Sequence, residues 1–308
     1  MKGFTHFVAG LAVTSCFPWA VEAAKQGNPL YFLLGGAAAL LPDTMDFKIL
    51  RYFHRHHIEV SPDPLNPDMQ MVADAIAQAI DYAGFRNLSI RLNTIRCGPD
   101  TWQKYRIQID PGKREVRTQL EDRIDTGGNP VQVQNPLPAN TGQAAFLTPI
   151  ALEYLATFPV EMLDGPHLQL APGPAGEIAV RFIPWHRSYT HSFCVSAILA
   201  GLASLLFGWT ALAVVFTAHA SHILLDQLGY MGSNLLWPLS RKRWPGFKLR
   251  HASSAFWNLA AVWMAIALIY SNLHGHTDQV PRIPPIGYLI LAIILPLGII
   301  HRWLGPNA

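Results

Sequence analysis

The residues from Trp185 to Ser192 bring together side chains that can bind ions or transfer protons. Two imidazoles, one guanidinium and three aliphatic hydroxyls fall within these eight residues, and the chain then turns apolar from Phe193 to Ala218. Polar groups at the start of a segment apolar enough to enter a membrane cost free energy unless they pair with each other, bind a metal or take part in a reaction. We therefore expect this stretch to belong to a functional site.

The two histidines of this stretch require different local environments. His186 and His191 are five residues apart, about 140° around an ideal helix, so they cannot point the same way from one regular helix. We expect His186 to lie in the preceding loop, with Ser188 or Thr190 as the helix cap. Arg187 is a candidate to hold an anionic group such as a phosphate. A lipid headgroup or a structural carboxylate would explain this arginine equally well.

Three further polar clusters interrupt apolar segments elsewhere. His222 and Asp226 are four residues apart and share one helix face, which suits either two metal ligands or a hydrogen-bonded structural pair. Asp43 and Asp46 end an apolar helix, where the negative end of the helix dipole disfavours carboxylates unless a cation is present; a solvated turn is the alternative. His6 lies near the start of the first apolar segment, where a structural role is the alternative.

The composition indicates a membrane protein. Half of the 308 residues are hydrophobic and 14% are charged, whereas about 25% charged residues is typical of soluble domains. The apolar segments predict a mainly α fold, namely a polytopic helical membrane domain with an inserted soluble α+β subdomain. Residues 1–53 would hold membrane helices 1 and 2, and residues 185–308 would hold membrane helices 3 to 6.

Residues 54–184 have the composition of the inserted soluble subdomain. We expect a helix capped by Asn66, a hairpin between strands near residues 104–109 and 116–120, a helix at 146–157, and a last hairpin over 167–183. The insertion holds 11 basic and 15 acidic residues. This net negative charge makes a nucleic-acid partner unlikely, whereas the insertion could dock a protein partner.

Charge placement predicts the orientation in the membrane. Five basic residues between 237 and 251 favour a cytoplasmic position for that loop. Threading the expected spans from this loop places the N-terminus, the insertion and all four polar clusters at the cytoplasmic face of the inner or plasma membrane. The clusters would then converge on one layer.

Together the clusters predict a metal site with nitrogen and oxygen ligands. Such a set suits Zn²⁺ best, with Mn²⁺ or Fe as alternatives, and one or two ions. A bound metal could lower the pKa of water to about 7 and polarise a phosphoryl or carbonyl oxygen. Asp46, if it is not a ligand, could accept the proton of that water. The expected metal ligands are His6, Asp43, Asp46, His186, His191, His222 and Asp226, and the expected catalytic residues are Asp46 and Arg187.

The same motifs resemble those of a known family. The motifs are Phe4-Thr5-His6-x3-Gly10, Leu41-Pro42-Asp43-x2-Asp46, His186-Arg187-x2-Thr190-His191-Ser192 and Ser221-His222-x3-Asp226. They resemble the membrane-bound metal-dependent hydrolases, also called LexA-binding, inner-membrane-associated hydrolases. The resemblance implies a helical membrane protein distantly similar to zinc-dependent phospholipase C and the P1-type nucleases. A phosphoester of a lipid or of a small metabolite would then be the substrate.

Two functions are compatible with these patterns. The first is a metal-dependent hydrolase at the cytoplasmic face of the bilayer. The second is a non-catalytic metal-binding scaffold or transporter whose insertion docks a partner. Polar residues confined to one layer favour a surface site over a transport path, because a path would need polar groups across the bilayer.

Overall fold

The computed structural model describes residues 2–84, 86–126, 128–132, 138–162, 165–173, 175–183, 185–249, 254–274 and 285–304. The chain forms two compact units. One combines Met1–Arg51 with His186–Ala308, and the other is Tyr52–Trp185. The first unit is therefore discontinuous in sequence.

The helices are α1 (Gly3–Ser15), α2 (Pro18–Lys25), α3 (Leu30–Met45), α4 (Arg51–Phe53), α5 (Met69–Tyr82), α6 (Phe193–Phe207), α7 (Trp209–Gln227), α8 (Ala255–His274), α9 (Pro285–Tyr288) and α10 (Leu295–Leu304). Two π-helical turns, Asp46–Leu50 and Leu289–Ile294, follow α3 and α9 directly. The strands are β1 (Ile58–Val60), β2 (Leu88–Leu92), β3 (Ile95–Arg96), β4 (Thr101–Asp110), β5 (Glu115–Asp125), β6 (Thr141–Ala145), β7 (Ile150–Leu152), β8 (Thr157–Val160), β9 (His167–Pro172) and β10 (Ile178–Phe182).

In the first unit, α1 packs against α3, α7 and α8. Glycines on both helices permit the close approach of α1 to α3. A Cβ atom at Gly35 would lie 1.9 Å from the Thr14 hydroxyl oxygen, and one at Gly10 would lie 2.5 Å from the Gly35 carbonyl oxygen. Gly3 lies beside Leu40, so α1 and α3 run antiparallel. This packing sets the first turn of α1, which carries His6, beside the last turns of α3.

Helices α6 and α7 form a hairpin, with its break at Gly208. This glycine has a φ of 86°, a left-handed conformation that glycine adopts without steric cost. Small side chains let α3, α6 and α7 pack closely around a compact core. That core consists of Ala38, Ala39, Ala200, Val215 and Ala218.

The second unit contains two five-stranded sheets. The first has the order β1-β2-β9-β10-β7, with parallel pairs at both edges and antiparallel pairs between them. The second is antiparallel, with the order β3-β4-β5-β6 and β8 also paired to β4. Helix α5 supplies Met69, Val72, Ile76 and Ile80 to a continuous core with the inward-facing strand residues.

Local predictions for this unit had mixed outcomes. The hairpins β4–β5 and β9–β10 are confirmed. The helix near residue 66 is also confirmed, but its cap is Asp68, whose carboxylate accepts from the Met71 N–H, and not Asn66. The prediction of a helix at 146–157 is wrong. That segment instead contains β7, which pairs in parallel with β10.

The prediction of a mainly α, polytopic helical membrane protein is wrong. Two five-stranded sheets make this a mixed α and β fold. Among the described residues, α8 is the one helix long and apolar enough to cross a membrane. Helices α1 and α2 would add a second span only as a pair, and they are bent by 96°. The 15-residue α6 extends only about 22 Å, less than the roughly 30 Å hydrocarbon core.

Candidate metal centre

All of the predicted site residues lie in the first unit. His6 is in the first turn of α1, and Asp43 and Asp46 lie where α3 passes into its π-helical turn. His222 and Asp226 are on α7. His186, Arg187 and His191 precede α6, whose cap is Ser192 and neither Ser188 nor Thr190. The structure thus brings four separate stretches of sequence to one buried cluster.

Asp46 organises the segment before α6. Its buried Oδ2 atom lies 2.9 Å from His186 Nδ1 and accepts from the Arg187 backbone N–H at 2.8 Å. Its Oδ1 atom accepts from the Thr190 hydroxyl at 2.5 Å. Arg187 takes a left-handed φ of 58°, which non-glycine residues adopt rarely. The carboxylate therefore fixes both the backbone and the side chains of this segment.

His191 and His222 face each other through their Nε2 atoms, which are 3.1 Å apart. The Oδ1 atom of Asp43 lies 3.7 Å from the His191 Nε2 atom and 3.6 Å from that of His222. The Oδ2 atom of Asp226 lies 3.4 and 3.6 Å from the same two nitrogens. Four ligand atoms within 4.8 Å of one another could hold a metal ion.

Hydrogen bonds on the far side of each ring fix which nitrogen faces this group. The Nδ1 atom of His222 lies 2.7 Å from the Ala39 carbonyl oxygen, which only accepts, so this Nδ1 atom carries a proton. The Nδ1 atom of His191 lies 3.1 Å from the Thr190 hydroxyl oxygen. That hydroxyl gives its own proton to Asp46 Oδ1, so the Nδ1 atom of His191 is the donor between the two and also carries a proton. In a neutral ring the Nε2 lone pair then points inward, as it does in histidines that bind metals.

A second group could also hold an ion. It consists of Asp46, His186 and His191, all of them buried. His191 belongs to both groups, through Nε2 in the first and through Nδ1 in this one, where an ion would have to replace the Nδ1 proton. Both oxygens of Asp46 already accept hydrogen bonds from neighbouring donors, which also suits a carboxylate that orients ligands.

His6 lies against the first group but outside it. Its ring stacks on the His222 ring with a centroid distance of 3.8 Å. Its Nε2 atom is 3.2 Å from Asp226 Oδ1. Among the residues that the structure describes, two groups have ligand atoms that all lie within 4.8 Å of one another, and His6 belongs to neither group.

Arg187 is directed at acceptors inside the protein. Its Nη2 atom lies 3.0 Å from Asp226 Oδ2, and its Nη1 atom donates to the carbonyl oxygens of Asp226 and Met231. The guanidinium of Arg187 is paired with the carboxylate of Asp226. With all histidines neutral, the three carboxylates and this guanidinium leave two negative charges, which a divalent cation would balance.

Electrostatics inside the cluster favour ionised carboxylates. Burial would raise the pKa of Asp46, but hydrogen bonds from His186 and His191 outweigh it and hold that pKa well below its usual range. Burial is likewise outweighed at Asp226, mainly by the charge of Arg187, so the pKa of Asp226 is also low. Burial would lower the pKa of His222, yet Asp226 and Asp43 raise it to about 9.

Only part of this arrangement had a signal in the sequence. Thr190 lies inside the predicted motif, but its bond to Asp46 was not foreseen. The Ala39 carbonyl that orients His222 comes from an apolar helix and has no sequence signal at all. A buried Ser196–His219 pair, 2.8 Å between Oγ and Nδ1, extends the polar cluster along α7.

Comparison with known proteins places this chain in a family of inner-membrane proteins. The model of the YdjM inner membrane protein family matches residues 149–303, which is just over half of the 308 residues. The chain therefore belongs to this family. The matched residues include the segment before α6, helix α7 itself and the loop after α7. No curated protein and no solved structure matches the chain.

Proposed function

We propose that this protein is a metal-dependent hydrolase at the inner membrane. Asp43, His191, His222 and Asp226 would be the ligands. One observation carries the proposal: two oriented Nε2 atoms lie 3.1 Å apart, next to an Asp43 Oδ1 atom with no hydrogen-bond partner among the described residues. Two nitrogen lone pairs that face each other at this distance repel, unless a cation, either a proton or a metal ion, lies between them.

The ligand chemistry favours zinc. Two imidazoles and two carboxylates form a four-ligand set of the kind Zn²⁺ takes, with Mn²⁺ or Fe as alternatives. One ion would occupy this group, and a second ion would need the group formed by Asp46, His186 and His191. In the one-ion case Asp46 acts through His191, as the carboxylate that orients a ligand.

The residues around the ion would divide the remaining tasks. When bound, such an ion acts as a Lewis acid towards a phosphoryl oxygen and acidifies water. The Asp43 side chain is 21% exposed, whereas those of His191 and Asp226 are buried, so water and substrate would approach past Asp43. Arg187 would hold Asp226 in its ionised, ligating form. The Asp46 carboxylate is inaccessible, so proton exchange with water falls to Asp43.

The substrate would be a phosphoester, by resemblance of the motifs to the membrane-bound metal-dependent hydrolases. The cytoplasmic side is favoured because Arg243 of the basic segment donates to the His186 carbonyl, and basic segments stay in the cytoplasm.

The test is a turnover assay on metal-loaded protein purified in detergent. A panel of phosphatidic acid, a glycerophosphodiester and p-nitrophenyl phosphate would be compared for wild type, Asp43→Asn and the exposed-surface control Asp100→Asn. We expect turnover of at least one ester, lost in Asp43→Asn and kept in the control. Metal retention without turnover of any ester would contradict hydrolysis and leave a non-catalytic metal-binding scaffold, with residues 54–184 as its docking module.

A further inference from the structure

The segment from Leu235 to Leu249 combines exposed apolar side chains with exposed basic ones. Leu239, Phe247 and Leu249 are 83%, 65% and 67% exposed. Arg241, Lys242 and Lys248 are exposed beside them. The sequence from 228 to 249 contains no acidic residue. Exposed apolar patches of this kind mark interaction sites.

The backbone of this segment is held firmly beneath its side chains. Ser233 and Trp244 exchange two backbone hydrogen bonds of 2.9 Å. The backbone N–H groups of Phe247, Lys248 and Leu249 donate to carbonyls at the C-terminal end of α7 and just beyond it. A Cβ atom at Gly232 or Gly246 would lie 2.2 Å from a facing carbonyl oxygen, so glycine is needed at both positions. The exposed side chains are therefore presented from a fixed platform.

The platform is joined to the candidate metal centre. Ser192 Oγ donates to the Trp237 carbonyl, the Asn234 N–H donates to the Arg187 carbonyl, and Arg243 donates to the His186 carbonyl. Whatever covers Leu235–Leu249 consequently lies beside the segment that carries His186 and His191.

We infer that Leu235–Leu249 is a docking surface for the anionic headgroups of the bilayer. Charge complementarity identifies the partner, because a segment whose charged residues are all basic fits negatively charged lipid. The apolar side chains fit the acyl boundary just below the headgroups, and Trp244 is of the type enriched at that depth. A soluble polyanion would match the charges but would leave Leu239, Phe247 and Leu249 in water. The inference does not depend on the metal.

The experiment measures lipid binding to the full chain in detergent by native mass spectrometry. Phosphatidylglycerol and phosphatidylcholine are titrated against wild type, Arg241→Gln/Lys242→Gln, and the charge-retaining pair Arg241→Lys/Lys242→Arg. The matched control is Arg86→Gln/Lys113→Gln in the second unit, which removes the same charge. Arg86 stacks on Tyr82 as Lys242 stacks on Trp244.

Each basic residue near an anionic surface contributes about a five-fold gain in affinity. We expect a preference for phosphatidylglycerol that falls about 25-fold in the glutamine pair and is kept in the charge-retaining pair and the control. Equal binding of the two lipids by wild type, or an unchanged glutamine pair, would overturn the inference. Displacement of the bound lipid by heparin at stoichiometric concentration would overturn it too, by showing a surface for soluble polyanions.

Discussion

Arg187 and Asp226 form a buried ion pair, with 3.0 Å between Nη2 and Oδ2. The pair joins the segment before α6 to the last turn of α7, and two further bonds from Nη1 to backbone carbonyls tighten it. It holds in place, and keeps ionised, a carboxylate that could ligate a metal ion. This ion pair gives Arg187 a positioning role. From the sequence alone, its partner could have been an anionic ligand, a lipid headgroup or a structural carboxylate.

Replacing Arg187 should be costly because it leaves a buried carboxylate unpaired. We expect Arg187→Met to lower the free energy of unfolding by about 3–5 kcal/mol, measured by denaturant titration of the metal-free protein in detergent. Arg181→Met is the control, since its pair with Glu153 is about one-third exposed and should cost under about 1 kcal/mol. Equal effects of the two substitutions would contradict the positioning role.

Asp46→Asn should separate an orienting carboxylate from a ligand. Loss of an outer carboxylate typically weakens metal binding about 10- to 100-fold, so we expect a drop of that size by competition with a chromogenic chelator. His191→Ala should instead remove measurable binding, because it deletes a ligand atom. If Asp46→Asn abolished binding as completely as His191→Ala does, Asp46 would be a direct ligand and the second group would be the occupied one.

Metal affinity should depend on pH through His222. Its pKa of about 9 means that the metal-free protein carries a proton there at pH 7, and a metal must displace it. Affinity should therefore rise about tenfold per pH unit from pH 7 to 9. The raised pKa stabilises the metal-free fold below pH 6.5, and this contribution is lost as pH rises through 9. Isothermal titration in two buffers of different ionisation enthalpy would count the proton; a pH-independent affinity would contradict this assignment.

Gly35→Ala tests the helix packing beneath the site. Its Cβ atom would overlap Thr14 of α1, and overpacking typically costs about 1–3 kcal/mol. Gly201→Ala in α6 is the matched control. A Cβ atom there meets no atom within 4 Å among the described residues, so helix propensity should stabilise it by up to about 1 kcal/mol. Thermal unfolding in detergent should move in opposite directions, and a neutral Gly35→Ala would contradict the close α1–α3 contact.

The site was more predictable from sequence than the fold was. Spacing sets His222 and Asp226 on one face of α7, and their position at the end of an apolar run indicated convergence with the other clusters. Spacing could not show that Thr190 bonds to Asp46, nor that Ser192 is the cap of α6. The first outcome depends on a contact between residues 144 apart in sequence, and the hydroxyl of Ser192 also contacts the Trp237 carbonyl, 45 residues away.

The fold differs from the predicted one for a common physical reason, because an apolar segment does not by itself reveal which segment it packs against. Ala39 and Ala218 look lipid-facing in sequence, yet both are fully buried between helices. The segment around Ile150 has helix-like composition, but β10 offers it a parallel partner. Long-range pairing of this kind overrides local propensity.

The metal content of the purified protein tests the central proposal most directly. We would measure Zn, Mn and Fe by mass spectrometry in wild type, in His222→Ala and in His301→Ala, whose side chain is exposed on α10. We expect one equivalent of a divalent metal in wild type and in His301→Ala, and none in His222→Ala that remains folded. Protein without metal after supplementation, or with equal metal in all three forms, would contradict a site built on the facing imidazoles of His191 and His222.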